Sequence, residues 1–316
     1  MKIMNKEERY TGSIVGLAVG DALGTTIEFQ PPGSFMTIKE IVGGGPFRLP
    51  KGYWTDDTTM ALCTLLSLLE YRRCNVVDQA RRYWRWVEDG YMSSTGVLFD
   101  IGETTSEALC RFKKTGDPYS GLSDEKRAGN GSIMRIAPVA LAYSDSLEDA
   151  VRLCAANSAI THRMPTAIVA CKYMASFIYR CIQGHSKNEV LTPLIDISNP
   201  LINEIVVNRS YAKKNPPQIK GTGYVVDSLE AALWAFYTTD TFEDGMIKAV
   251  NLGDDADTTG AVYGQLAGAY YGHGAIPKRW TRDLHKHNYI YDLAQSLCNT
   301  KMNPTPDPQL DNNPGS

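Results

Sequence analysis

The segment YTGSIVGLAVGDAL, residues 10–23, combines small and apolar side chains, and glycine recurs at positions 12, 16 and 20. A spacing of four places these glycines on one stripe of an α-helix, where a second helix can approach closely. In a globular chain such a stripe favours helix packing rather than dimerisation within a membrane. The segment therefore predicts a helix that packs tightly against another helix.

The rest of the chain also has mostly helical periodicity. Apolar residues recur at helical spacing, and capping-box patterns begin at Ser146 and Asp240. Pro193 and Pro200 weaken the prediction of a helix over residues 189–205. Residues 38–42 are the one segment that resembles a strand. The predicted helices cover residues 10–23, 56–71, 77–87, 164–182, 224–237, 242–250, 261–271 and 281–297.

These patterns predict an all-α fold, a compact multi-helix orthogonal bundle that forms a single domain over residues 1–302. From residue 303 the sequence reads NPTPDPQLDNNPGS. Its prolines and its lack of an apolar pattern predict a disordered tail over residues 303–316.

The composition of the chain argues against several classes of function. The chain of 316 residues is 43% hydrophobic and 21% charged, with a net charge of −3, which is typical of a globular protein without a basic nucleic-acid-binding or membrane-binding surface. The longest apolar run, residues 164–182, carries Lys172 and Arg180, so we expect a buried helix and not a membrane span. The first ten residues lack the apolar core of a signal peptide. Seven scattered cysteines without a CxxC motif predict a reduced, cytoplasmic protein.

Two acidic segments carry the chemistry: WTDDTT at residues 54–59 and GDDADTT at residues 253–259. Each segment precedes a helical pattern, so the acids fall at helix N-termini, where they could be separate, solvated caps. If the two turns meet instead, they form an oxygen-only ligand set that suits Mg²⁺, Mn²⁺ or Ca²⁺. No EF-hand spacing and no HExxH motif is present. The pattern alone indicates a magnesium or manganese site between two helix ends.

WTDDT followed by GDDADT resembles the ADP-ribosylglycohydrolase family, whose arginine-type hydrolases reverse mono-ADP-ribosylation. The similarity spans about residues 10–272, and further motifs occur in the family's order. These are GLAVGDALGTTIE at 16–28, FDIG at 99–102, GNGSIMR at 129–135, TH at 161–162 and GTGY at 221–224.

The resemblance implies an all-α fold with a dinuclear centre of two Mg²⁺ or Mn²⁺ ions in a cleft. Asp254 stands where many relatives have glycine and is left out of the ligand set. The implied ligands are Thr55, Asp56 and Asp57 from one side, and Asp255, Asp257 and Thr258 from the other.

The resemblance also implies catalytic and substrate-binding residues. Glu28 is the candidate base or ribose-binding carboxylate, with a solvated loop acid as the alternative, and Asp56 and Asp255 join it as catalytic residues. Asp100, with Gly102, would meet a guanidinium leaving group, or else Asp100 caps a helix. The remaining implied contacts are Gly129, Asn130, Gly131 and Ser132 around the pyrophosphate and ribose, and His162 and Tyr224 at the adenosine end.

Outside the family context, the GNGS loop would be read as a turn, and His162 and Tyr224 as core residues. The implied activity is removal of mono-ADP-ribose from arginine side chains of modified proteins, with release of ADP-ribose. The alternatives are hydrolysis of ADP-ribosylserine or O-acetyl-ADP-ribose, and ADP-ribose binding without catalysis.

Overall fold

Helices dominate residues 4–305, the part of the chain that the computed structural model describes. Within that range only three isolated β-bridges occur, and residues 38–42 form no strand. The predicted all-α fold is confirmed. The helices are α1 (Lys6–Gly24), α2 (Asp56–Tyr71), α3 (Val76–Asp89), α4 (Glu103–Thr115), α5 (Ala137–Ala142), α6 (Leu147–Ala159), α7 (Pro165–Ile182), α8 (Lys187–Val190), α9 (Pro200–Val206), α10 (Val225–Tyr237), α11 (Phe242–Val250), α12 (Ala256–Tyr271), α13 (Lys278–Asp283) and α14 (His287–Cys298).

The antiparallel pair α1 and α12 forms the centre of the molecule. Every residue of α1 from Tyr10 to Gly24 is buried, because α1 is surrounded by other helices. A Cβ atom added to Gly20 would lie 2.1 Å from the carbonyl oxygen of Gly260, and one added to Gly16 would lie 2.5 Å from that of Gly264. The two helices therefore touch backbone to backbone, as the glycine stripe predicts. Their antiparallel course brings the end of α1 beside the start of α12.

Several predicted helix boundaries differ from the structure. The segment 281–297 is two helices, because Lys286 adopts a left-handed backbone conformation between α13 and α14. α11 is capped by Thr241 and not by Asp240. α1 begins at Lys6, four residues before the predicted start, and ends at Gly24.

The beginning of the predicted tail contacts the helical body. The backbone N–H of Asn303 donates to Arg72 O over 2.6 Å, and the hydroxyls of Thr305 and Tyr143 lie 2.6 Å apart. The rest of that prediction, residues 306–316, lies outside the described residues. None of the helices within residues 4–305 has the length and apolar character needed to cross a membrane.

Candidate metal centre and substrate cleft

The two acidic turns, about two hundred positions apart in sequence, meet at the start of α2 and the start of α12. Thr55 Oγ1 lies 3.0 Å from Asp257 Oδ2, and Thr258 Oγ1 lies 3.5 Å from Asp57 Oδ2. Thr55, Asp57 and Asp257 are each at most 1% exposed. These acids are therefore not the separate, solvated caps that each segment alone would suggest.

Neither helix uses its N-cap side chain as a cap. Thr55 and Asp255 occupy the N-cap positions of α2 and α12, yet no hydrogen bond from a backbone N–H of either helix reaches their side chains. Thr55 Oγ1 instead lies 2.9–3.2 Å from carboxylate oxygens of Asp21, Asp57 and Asp257. A hydroxyl has one proton and can donate to only one of them. The other two contacts of Thr55 Oγ1 therefore join oxygen atoms with no Thr55 proton between them. A nearby positive charge would stabilise such contacts.

Two buried carboxylate oxygens, Asp57 Oδ1 and Glu28 Oε2, have no hydrogen-bond partner in the described structure. Unpaired buried acceptors of this kind are costly unless something compensates them. Single oxygens of Asp21, Asp57 and Asp257 lie within 4.8 Å of one another, and so do single oxygens of Glu28, Asp100 and Asp257. The two triads share Asp257. An oxygen-only cluster of this density fits hard divalent cations.

Burial and mutual repulsion raise the pKa values of the clustered acids. Burial is the main cause for Glu28, whose pKa rises to about 10 with help from the charges of Asp100, Asp255 and Asp57. The pKa of Asp100 rises to about 7 through burial and the charges of Asp21 and Asp255. Two carboxylates 4.8 Å apart repel by roughly 3 kcal/mol at an effective dielectric constant of about 20. Bound cations would remove this repulsion.

A cleft with a cavity volume of about 260 Å³ opens above the cluster. Thr55 and Asp57 are fully buried and do not line the cleft. The cleft brings together eleven of the residues predicted from sequence: Glu28, Asp56, Asp100, Gly102, Gly129, Asn130, Gly131, His162, Asp255, Asp257 and Thr258.

Glu28 and Asp100, for which the sequence left two roles open, both line the cleft. Glu28 is 4% exposed, so it is not a solvated loop acid. Asp100 does not cap α4, because Gly102 occupies the N-cap position without any side-chain hydrogen bond. Asp100 has a left-handed backbone conformation, with φ of 54°, and its carboxylate faces Glu28 and Asp257.

The glycine loop at residues 129–131 lies against the imidazole of His162. A Cβ atom added to Gly131 would lie 2.9 Å from His162 Cε1, and one added to Gly129 would lie 3.3 Å from His162 Nε2. The side-chain amide of Asn130 donates to Asp255 Oδ2 over 2.8 Å. The loop therefore supports the second acidic turn and leaves backbone exposed at the cleft.

His162 is neutral at physiological pH. Its pKa falls to about 3, mainly because it is buried and also because the cations Arg135 and Arg127 are near. Arg135 donates to Thr161 Oγ1 over 2.9 Å, which frees the Thr161 proton for His162 Nδ1, also 2.9 Å away. With Thr161 as the donor to Nδ1, His162 carries its proton on Nε2, the nitrogen beside the glycine loop.

The ADP-ribosylglycohydrolase family model matches residues 3–306. The chain belongs to the ADP-ribosylglycohydrolase family.

Curated relatives and a solved structure agree with this family. A Serratia proteamaculans protein named ADP-ribosylarginine hydrolase Tri1 is 39% identical over 92% of this chain and 79% of its own length. A Rhodospirillum rubrum protein named ADP-ribosyl-[dinitrogen reductase] glycohydrolase is 34% identical over 88% of this chain and 90% of its own. A solved structure titled ADP-ribosylglycohydrolase-related protein complex is 42% identical, has a TM-score of 0.83, and covers 94% of this chain and 99% of that one.

Asp21 belongs to the GLAVGDALGTTIE motif, but the sequence alone assigned it no role. Its Oδ1 accepts from the backbone N–H and the hydroxyl of Thr55, and its Oδ2 accepts from the same two groups of Thr58, over 2.6–3.0 Å. Both oxygens are thus occupied, so Asp21 positions the start of α2. The sequence feature that could have indicated this role is an acidic residue within a helical segment whose other side chains are small or apolar.

Two candidate substrate residues of this ADP-ribosylglycohydrolase lie outside the cleft lining. Ser132 is fully buried, and its hydroxyl accepts from Ser158 Oγ over 2.9 Å. Tyr224 is 37% exposed, so it is not a core tyrosine, and it pairs through its backbone with Gly129. Ser132 can reach a ligand only through its backbone, whereas the Tyr224 ring is free at the surface.

Proposed function

We propose that this protein is a metal-dependent ADP-ribosylarginine hydrolase, which cleaves the N-glycosidic bond between ADP-ribose and arginine in a modified protein. The observation that carries the proposal is the convergence of the α2 and α12 acidic turns with Glu28 and Asp100 at one cleft. The name of the Serratia relative supports the reaction class and the arginine acceptor, and the name of the Rhodospirillum relative supports the reaction class and a protein substrate.

The proposed cofactors are two Mg²⁺ or Mn²⁺ ions, since oxygen-only ligands suit both. When bound, such ions supply positive charge that orients ribose hydroxyls and lowers the pKa of a water molecule. Two features fit such cations. Asp57 Oδ1 has no hydrogen-bond partner, and Thr55 Oγ1 lies near more carboxylate oxygens than its single proton can serve. The proposed ligands are Thr55, Asp56, Asp57, Asp255, Asp257 and Thr258.

The glycine-loop end of the cleft would hold the pyrophosphate and adenosine. Backbone N–H groups of residues 129–132 can approach phosphate oxygens because the glycines carry no side chains. The neutral His162 offers its Nε2 proton without adding charge, and the exposed ring of Tyr224 can cover the adenine base.

The opposite end of the cleft would hold the scissile bond. Asp100 accepts hydrogen bonds from the guanidinium group, whose planar donors match a carboxylate. With cations bound beside it to lower its raised pKa, Glu28 would be ionised and would take the proton of the attacking water as the C–O bond forms and the C–N bond breaks. The proton then passes to the departing guanidine, so that the arginine side chain of the acceptor protein leaves as guanidinium and ADP-ribose leaves with a hydroxyl on the anomeric carbon.

Isosteric variants of neighbouring acids test this assignment. Asp56→Asn and Asp255→Asn each remove one proposed ligand, and we expect about a 10²-fold or greater loss of ADP-ribose release. EDTA should abolish the activity, and Mg²⁺ or Mn²⁺ should restore it. Asp254→Asn is the matched control, because Asp254 does not line the cleft and asparagine tolerates its φ of 52°.

Metal content measured by mass spectrometry accompanies each assay. Full activity of a metal-free Asp56→Asn or Asp255→Asn protein would exclude the proposed centre. Release rates measured in parallel on arginine-linked and serine-linked ADP-ribose identify the acceptor. Faster release from the serine-linked substrate would contradict the arginine assignment. Tight ADP-ribose binding without turnover in either metal would indicate a non-catalytic binding protein.

A further inference from the structure

A row of three aromatic rings adjoins the cleft through Phe29, which lines it. Phe29, Phe47 and Phe99 come from three separate loops, yet the ring centroids of Phe29 and Phe47 are 6.4 Å apart and those of Phe47 and Phe99 are 5.3 Å apart. Val97 and Leu98 precede Phe99 in sequence. We call Phe29, Phe47, Val97, Leu98 and Phe99 the aromatic rim.

Much of the aromatic rim is exposed to solvent. Phe29 is 65% exposed, Val97 61% and Leu98 36%, although the chain buries most of its other large apolar side chains. A single exposed apolar residue needs no explanation, but a contiguous group beside a cleft is typical of an interaction surface. Aromatic side chains in particular contribute large contact area at protein interfaces.

The aromatic rim is continuous with one end of the cleft. Phe29 follows Glu28 and itself lines the cleft, and Phe99 precedes Asp100. Glu28 and Asp100 are the residues assigned above to the scissile bond, and their carboxylate oxygens lie within 4.8 Å of each other. A modified arginine held between them brings its own polypeptide next to Phe29 and Phe99, which adjoin these two acids in the chain.

We propose that the aromatic rim binds apolar side chains that flank the modified arginine on the acceptor protein. The inference rests on the proposed hydrolase function and adds a substrate preference to it. The rim replaces water around those flanking side chains, which favours acceptor sequences with neighbouring aliphatic residues over polar ones.

Two synthetic peptides of equal charge test this preference, each with one ADP-ribosylated arginine, flanked by leucines in one and by serines in the other. ADP-ribosylarginine alone gives the baseline rate. We expect kcat/KM for the leucine-flanked peptide to exceed that for the serine-flanked peptide by about tenfold. The double variant Val97→Ser/Leu98→Ser should lower this preference severalfold and leave the baseline rate unchanged.

The control is Leu201→Ser/Val207→Ser, which replaces the same two residue types at exposed positions outside the cleft lining. This control should keep the tenfold preference. Equal rates on both peptides with the unmodified protein, or a preference that is undiminished in the rim variant, would overturn the inference while leaving the hydrolase function intact.

Failure of the hydrolase function has a different signature, because the unmodified protein would then release ADP-ribose from neither peptide nor from ADP-ribosylarginine. In that case fluorescence anisotropy of the two labelled peptides measures the preference directly. Equal affinities would still refute the rim.

Discussion

The contact between α1 and α12 can be tested by adding one methyl group at Gly20. In Gly20→Ala the new Cβ would lie 2.1 Å from Gly260 O and 2.2 Å from Gly260 C. These are backbone atoms of the facing helix and cannot rotate away. Ordinary contact begins at 3.4 Å, so α1 must move by about 1 Å relative to α12.

The expected cost combines two opposing effects. Overpacking of a tight interior costs about 1–3 kcal/mol, and the backbone-to-backbone contact places Gly20→Ala at the upper end of that range. Alanine recovers about 1 kcal/mol through its higher helix propensity. We therefore expect the free energy of unfolding to fall by about 2 kcal/mol.

The same displacement should reduce activity. α1 carries Asp21, which holds the start of α2, and Glu28 follows its C-terminus. A shift of about 1 Å at reacting groups costs on the order of 10²-fold in rate. We expect kcat/KM for ADP-ribosylarginine to fall by that factor.

Urea unfolding followed by circular dichroism measures the stability, and ADP-ribose release measures the rate. Gly274→Ala is the control, because its added Cβ would meet Glu8 Oε2 at an ordinary 3.5 Å and should change stability by less than about 0.5 kcal/mol. If Gly20→Ala were as stable and as active as the control, the close packing of α1 on α12 would not organise the site.

Three further changes should have separable effects. Asp21→Asn places an amide donor against groups that already donate, so we expect bound metal and kcat both to fall about tenfold or more, as measured by metal analysis and ADP-ribose release. Asn130→Ala removes the donor to Asp255 and should lower kcat/KM about tenfold while the unfolding free energy falls by only about 1 kcal/mol, and an unchanged rate would contradict that positioning role. Because the pKa of His162 is lowered in the folded protein, its contribution to stability is complete above its unfolded pKa near 6.5 and is lost as the pH falls toward 3, by up to about 1.4 kcal/mol per pH unit. His162→Gln should flatten that dependence between pH 6 and pH 4 in urea unfolding, and an unchanged slope would refute the buried neutral imidazole.

Local patterns predicted much of the fold. The helical period placed α2 and α7 within a residue of their observed limits, because each has a continuous apolar face. The period does not reveal a break when both halves of a segment remain apolar, so the division between α13 and α14 at Lys286 was missed. The cap of α11 was misplaced by one residue because Asp240 and Thr241 are both good capping residues.

For the site, the sequence supplied the residue types and the family motifs, and it named most of the residues that line the cleft. It could not show that the Ser132 hydroxyl points into the core, or that the glycines at 129 and 131 make room for His162. These facts depend on contacts between segments distant in the chain.

The sequence by itself determined the helical class, the glycine stripe and the two oxygen-rich acidic turns, since each is a property of neighbouring residues. Only the tertiary structure decided that the turns share one buried cluster and that Asp21 is committed to the backbone of α2. The physical reason is the antiparallel packing of α1 on α12, which sets the end of one helix beside the start of the other. That packing confines several carboxylates at distances where their charges repel, and the resulting cluster could hold cations.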